Sequence, residues 1–182
     1  NVAISGNGSL YKNTTGSQNI AMGAASLYNN ETGNYNIAIG RSSLYSNTAS
    51  NNVGIGHESL KSNTTASSNT ALGSYAGDAI TTGGSNVMLG YGTDPSAVDG
   101  TNQIVIGYGA TGQADNSVVL GNANVTAVYA SQDAGATVYA GGLNIGGTAV
   151  SATAAELNYV DGVTSAIQTQ LDAKQATDAD LT

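Results

Sequence analysis

The chain contains no cysteine, no tryptophan and no phenylalanine, and only one proline among its 182 residues. Without cysteine there can be no disulfide and no thiolate metal site. Lysine and arginine together number four, and there is a single histidine, His57. So few basic residues argue against nucleic acid as a partner, because phosphate binding needs a basic patch. No apolar run is long enough to cross a bilayer as a helix, so no membrane insertion is expected. No secretory leader is visible, and the chain opens at Asn1 in mid-pattern, which reads as a piece of something longer. Charged residues make up 9 %, against about 25 % in an ordinary domain. Disorder usually accompanies high charge or many prolines, and neither is present. The net charge of −8 is read as serving solubility.

What the chain does have is glycine, 25 residues of it, and a short polar phrase that recurs. The unit Asn-x-small-aliphatic-Gly occurs at 19–23, 36–40, 52–56, 69–73 and 86–90, with a variant at 1–5. Its closing glycines fall at 23, 40, 56, 73, 90 and 107, giving steps of 17, 16, 17, 17 and 17, and then Gly121 follows after 14. Between them runs a leucine column, Leu10, Leu27, Leu44 and Leu60. A tyrosine column, Tyr11, Tyr28 and Tyr45, follows it and ends in Lys61. Asn13, Asn30, Asn47 and Asn63 then open polar turns.

A helical repeat is excluded by the glycine, asparagine, threonine and serine in every unit, all poor helix formers. The short segments alternate instead: Ile20/Met22, Ile37/Ile39, Val53/Ile55, Thr70/Leu72, Val87/Leu89, Ile104/Ile106 and Val118/Leu120. Pairs two apart point to one side of a strand. The residue between is small at first (Ala21, Ala38, Gly54, Ala71) and larger later (Met88, Val105, Val119). Each unit therefore predicts one rung of a stacked rod, with asparagines laddering from rung to rung. A rung of this size has only two or three large apolar side chains. Ordering each residue costs about 1–2 kcal/mol, and burying an aliphatic side chain returns only about 1.5–3 kcal/mol. Association of several chains would supply the missing core, so a homo-oligomer is expected.

Regular repeats stop at Gly121. Alternation at Val125, Ala127, Tyr129, Leu143 and Ile145 predicts short capping strands over 122–152. Thr153–Glu156 and Ser165–Gln168 read as helix-opening capping boxes. Val160, Thr164, Ile167 and Leu171 step by 4, 3 and 4, a short heptad seam. A helix so short is marginal alone. Residues 153–182 are therefore expected to form a coiled-coil neck, with Val160, Ile167 and Leu171 facing partner chains.

Chemistry-bearing constellations are missing from the pattern. His57 sits in a column shared with Arg41, as a rod surface position would. The acids are scattered, no EF-hand loop occurs, and Glu31 and Glu58 stand alone in the repeats. Asn7, Asn13, Asn30, Asn63 and Asn124 match glycosylation sequons, but the repeat itself generates three of these matches. No catalytic residue, cofactor or metal ligand is expected. Tyr11, Tyr28 and Tyr45 are the candidate surface ladder. They are suited to sugar or protein contact, or to stacking along the rod and packing at a subunit seam.

Ile104–Gly121, IVIGYGATGQADNSVVLG, resembles the 14-residue repeat of YadA-like heads in trimeric autotransporter adhesins. The longer copies upstream resemble repeats of phage tail fibres and bacterial surface fibres. TAAELNYVDGVTSAIQTQLDAK, from Thr153, resembles linkers of phage tail-fibre proteins. The resemblance implies an all-β chain: a trimeric left-handed parallel β-roll, or β-solenoid, of about 17- and 14-residue repeats, then short strands and a short helical neck. The expected divisions are a shaft at 1–121, a transition at 122–152 and a neck at 153–182. The implied role is structural and attachment-related, as a segment of a receptor-binding phage tail fibre on the virion. It would form a homotrimer and meet a cell-surface glycan or protein receptor through a distal region. The alternative is a bacterial trimeric surface adhesin.

Overall fold

The computed structural model describes residues 1–4, 7–129, 140, 142–145, 148–151 and 169. The chain divides into two units, Asn1–Val128 and Tyr129–Thr182. The first is a parallel β-solenoid. Its strands are β1 (Val2–Ile4), β2 (Ile20–Met22), β3 (Ile37–Ile39), β4 (Val53–Ile55), β5 (Thr70–Leu72), β6 (Val87–Leu89), β7 (Ile104–Ile106) and β8 (Val118–Leu120). They form one parallel sheet in sequence order, each strand paired with the next along the chain. The register keeps like over like: Ile20 beside Ile37, Ala21 beside Ala38, Met22 beside Ile39. The described part of this unit contains no helix.

A three-residue strand has to be followed by sharp corners, and the sequence supplies them. The closing glycines have φ of +127° to +142° at Gly23, Gly40, Gly56, Gly73, Gly90 and Gly107. A Cβ on Gly40 would collide with the Gly56 carbonyl, and one on Gly56 with the Gly73 carbonyl. Only glycine satisfies both the φ and the space. The leucine column is less obvious. Leu10, Leu27, Leu44 and Leu60 are left-handed, with φ of 48° to 51°. That conformation costs an L-residue about 1–2 kcal/mol. Leu27, Leu44 and Leu60 are fully buried, and burial of a leucine returns about 1.5–3 kcal/mol. The corner is strained, and the core it fills offsets the strain.

The middle residue of each inner strand faces in. Ala21, Ala38, Ala71, Met88 and Val105 are at most 1 % exposed. The first and third residues face out. In the lower rungs the leucine position passes to Gly77, Asp94 and Thr111, while the middle strand residue grows to Met88, Val105 and Val119. Around Gly77 the nearest atoms to an added Cβ belong to Leu60, Ile80 and Met88. The strand side chain thus takes over volume that the corner leucine gives up.

Two buried asparagine ladders tie the rungs together. In the first, the Oδ1 of Asn19, Asn36, Asn52 and Asn69 accepts the backbone N–H of Asn36, Asn52, Asn69 and Asn86, at 2.9–3.0 Å. The Nδ2 of Asn19, Asn36, Asn52, Asn69 and Asn86 donates to the carbonyls of Gly33, Ala49, Ala66, Gly83 and Gly100, at 2.7–2.9 Å. In the second, Asn63 Nδ2 donates to Asn47 Oδ1 at 2.8 Å and to the Ala66 carbonyl at 3.0 Å. Asn63 Oδ1 has no partner. The position below it is Ile80, which has no donor to offer.

Unequal steps are absorbed in the turns and leave the sheet intact. Asn30 and Asn63 close onto carbonyls three residues ahead, at Gly33 and Ala66. Asn47 closes onto Ala49, two ahead, at 2.9 Å. That turn is one residue short, which produces the 16-residue step. The 14-residue step trims the same turn further. Gly112 N–H still bonds the Asp94 carbonyl, and Asp115 already caps the Thr101 N–H at 2.8 Å. Gln103, longer by one methylene than the asparagines above it, reaches Asp115 and Ser96 at 3.0 and 2.8 Å across the shortened rung.

In the second unit, β9 (Leu143–Ile145) and β10 (Thr148–Val150) form an antiparallel pair. The expected neck residues Val160, Ile167 and Leu171 lie outside the described residues.

Candidate functional site

The tyrosine column stacks. Tyr11 and Tyr28 have ring centroids 5.0 Å apart at 14°, and Tyr28 and Tyr45 5.2 Å apart at 15°. Parallel strands set the rung spacing at about 4.8 Å, which is close to the distance at which offset rings attract. Lys12 lies over the Tyr28 ring at 5.8 Å. The rings of Tyr28 and Tyr45 are partly covered, whereas Tyr11 is 67 % exposed. Ring faces spent on one another are not offered to a sugar. The stacking links neighbouring rungs.

A second aromatic row was not anticipated. His57 meets Tyr75 edge-on at 5.1 Å, Tyr75 meets Tyr91 edge-on at 5.6 Å, and Tyr91 stacks on Tyr108 at 5.4 Å. The sequence signal was the phrase Gly-Tyr-Gly at 90–92 and again at 107–109. These residues line the corner just after the strands. Above them Arg41 donates to His57 Nε2 at 2.6 Å. Glu58 gathers Lys61 at 3.0 Å and Arg41 at 3.6 Å. The Lys61 hydrogen bond holds the Glu58 carboxyl below its ordinary range. His57 therefore belongs to this surface cluster.

Asp78 and Asp94 meet where the leucine and tyrosine columns end. Asp94 Oδ1 accepts the Ala79 N–H at 3.1 Å. Partial burial pushes both carboxyls above the usual range. Asp115 goes the other way, lowered by the Thr101 N–H and then by Gln103. Among the described residues, no group of three histidines or acids is placed to hold a metal ion. A cleft of about 590 Å³ lies at the last rung, lined by Gly109, Thr111, Gln113, Val119, Gly121 and Asn122, among others. It contains no ionisable side chain. The sequons Asn30 and Asn63 are fully buried in the ladder and are closed to a glycosylating enzyme in the folded chain.

The largest candidate surface is the outer face of the sheet. The first and third residues of β1–β8 give sixteen positions, of which fourteen are aliphatic, one is Met22 and one is Thr70. None is charged. Ile4, Leu72, Leu89, Val118 and Leu120 are 38–60 % exposed. At about 4.8 Å per strand the strip runs roughly 34 Å, and at three residues wide it covers roughly 340 Å², the size of the largest apolar patch on an ordinary monomer; its unbroken, uncharged run along the sheet is what sets it apart. No family model, curated protein or solved structure matches the chain. The surfaces therefore have to be read from their own chemistry. Among the described residues no helix is long and apolar enough to cross a membrane.

Proposed function

We propose that the chain is a structural and attachment protein, a segment of a trimeric fibre of the phage tail type. The β-solenoid would be the shaft, and a receptor on the cell surface would be met through a distal region. The observation that carries this reading is the uncharged aliphatic face along the whole sheet. Eight of its fifteen apolar side chains are exposed and seven half-buried, which is costly for a lone rod, and the buried core among the described residues is thin: six of its twelve members are alanine. A partner that covers this face along its length has to repeat at the same rise, and a second copy of the chain does so at every rung. The copy number of three rests on the resemblance to trimeric fibres.

The test is the mass of the native, full chain by sedimentation equilibrium or native mass spectrometry. Three chains per particle are expected. A single chain at micromolar concentration would overturn the proposal.

A further inference from the structure

Asp94 is followed by Pro95, the one proline of the chain, so the sequence holds a single Asp-Pro bond. An aspartyl carboxyl can close a five-membered ring on its own peptide carbonyl as an internal nucleophile. A prolyl nitrogen leaves more readily than others, because it belongs to a tertiary amide and is more basic. The fold grips this bond from both neighbouring rungs. Asp94 N–H donates to the Ala110 carbonyl at 3.1 Å, and the Asp94 carbonyl accepts the Gly112 N–H at 2.8 Å, the two halves of a parallel bridge to Thr111. That carbonyl therefore already faces a donor of the kind that meets a developing oxyanion. From the other side, Ala79 N–H holds Asp94 Oδ1 at 3.1 Å, and the Asp78 carboxyl lies within hydrogen-bonding reach. Pro95 is buried. Carboxyl, carbonyl and a second carboxyl are thus fixed before any reaction, which removes much of its entropic cost.

We infer that the folded chain cuts itself at the Asp94–Pro95 bond in mild acid, with the Asp94 carboxyl as nucleophile and Asp78 as the group that takes its proton. The Asp78 carboxylate accepts the proton of the Asp94 carboxyl as a carboxyl oxygen bonds to the Asp94 carbonyl carbon. The carbonyl oxygen becomes an oxyanion against Gly112 N–H. The C–N bond to Pro95 then breaks, and the proton goes to the leaving prolyl nitrogen. This leaves a cyclic anhydride on Asp94 and a free amine on Pro95. Water opens the anhydride to two carboxyls, so the net change is hydrolysis of one peptide bond. Burial helps, because it keeps the Asp94 carboxyl neutral at a higher pH than in an unfolded chain. The other charged groups around the pair are Glu58 and Lys61 above it, Asp99 on its own rung and Asp115 on the rung below. The cut leaves the rod joined. Val87 still pairs with Ile104 across it, and Gln103 N–H still bonds Asn86 Oδ1 at 2.9 Å. The inference is independent of the copy number.

The test is incubation of the full chain from neutral pH down to about pH 3, below the ordinary aspartate range, with and without urea. Denaturing gels and intact mass give the extent and position of cutting, and circular dichroism reports folding at each pH. Fragments 1–94 and 95–182 are expected to accumulate several-fold faster in the folded chain than in urea at the same pH. They should separate only in denaturant. Asp94→Asn is expected to abolish the cut. Asp78→Asn leaves the nucleophile and the bond in place and should slow the cut several-fold in a chain whose dichroism matches the parent's. The inference is overturned if the folded chain stays intact, or if it cuts no faster than the chain in urea. A rod that unfolds before it cuts gives the urea rate and overturns it as well. An unchanged rate in Asp78→Asn would remove Asp78 from the reaction.

Discussion

Replacing Asn69 by alanine is the sharpest test of what holds the rungs together. Asn69 is fully buried at the middle of the first ladder. Its Oδ1 accepts the Asn86 N–H at 3.0 Å, and its Nδ2 donates to the Gly83 carbonyl at 2.9 Å. Its own N–H bonds Asn52 Oδ1 at 2.9 Å and survives the change. Alanine strands one backbone N–H and one carbonyl where water does not reach. Each orphaned group costs about 1–3 kcal/mol, and together they are expected to cost about 3 kcal/mol. The assay is urea denaturation followed by far-ultraviolet circular dichroism at fixed chain concentration, because association would shift the midpoint. The exposed Gln113, which bonds only its own turn, gives the comparison: Gln113→Ala should stay within about 0.5 kcal/mol of the parent.

Asn69→Asp separates the two hydrogen bonds. The carboxylate still accepts from Asn86 but cannot donate to Gly83, and it is a buried charge. Protonation restores a donor. This variant should therefore be the less stable at neutral pH and recover relative to the parent as pH falls. If Asn69→Ala costs less than about 0.5 kcal/mol, the ladder is a consequence of stacking and does not cause it.

Gly56→Ala should abolish the folded rod or cost several kcal/mol, because φ is +139° and the Gly73 carbonyl occupies the Cβ site; loss of the dichroism signal reports it. Tyr28→Ala removes two ring stacks and should cost about 1–3 kcal/mol, roughly twice Tyr11→Ala, which removes one; equal costs would count against the ladder. Asp94 binds its proton more tightly when folded, because burial raises its pKa. Its contribution to stability rises as pH falls through that raised value and is complete below the ordinary aspartate range. Asp94→Asn should stabilise the chain near pH 7 and remove this mild-acid gain in a denaturation series. Ile80→Asn loses about 1.5–3 kcal/mol of apolar burial but returns a donor to the orphaned Asn63 Oδ1, worth about 1–3 kcal/mol. A near-neutral midpoint is expected, and a loss above about 3 kcal/mol would show that the orphan acceptor does not wait for a rung partner.

The rod was legible in the sequence because stacking turns spatial neighbours into a period. The glycines at 23, 40, 56, 73 and 90 are one column, and the leucines at 10, 27, 44 and 60 another, so contacts could be counted before any coordinates. What could not be read was which side of each strand faced inward. Ile20 and Met22 look like core and Ala21 like filler, yet Ala21 is the buried one. Alternation gives two faces and does not choose between them. The choice is made by the corner leucines, which fill the interior so fully that only a small strand residue fits. The second aromatic row was missed for another reason. His57, Tyr75, Tyr91 and Tyr108 do not share one column, since Tyr75 sits one residue further from its glycine than the others. A strict column count passes over a row that slides by one position between rungs.

The same competition for interior volume explains why the chain changes character below Asn63 without breaking. Down to Leu60 the corner side chain fills the rung and the strand contributes alanine or glycine. From Gly77 on, the corner no longer carries a leucine (Gly77, Asp94, Thr111) and Met88 and Val105 fill the space from the opposite wall. Hydrophobic volume is roughly conserved, so the sheet register continues through β5 and β6 unaltered. The polar columns cannot be exchanged in this way, because a hydrogen bond needs its complement in the next rung. Hence the second asparagine ladder ends in an unpaired oxygen at Asn63, and the tyrosine ladder ends at Lys61. The first ladder passes through Asn52, Asn69 and Asn86 without a gap. The continuous sheet and that ladder therefore carry the two halves as one rod. The exposed columns are free to differ between the halves, as the charge does: Lys12, Arg41 and Lys61 stand with Glu31 and Glu58 in the upper rungs, and the lower rungs carry Asp78, Asp94, Asp99 and Asp115 with no basic residue.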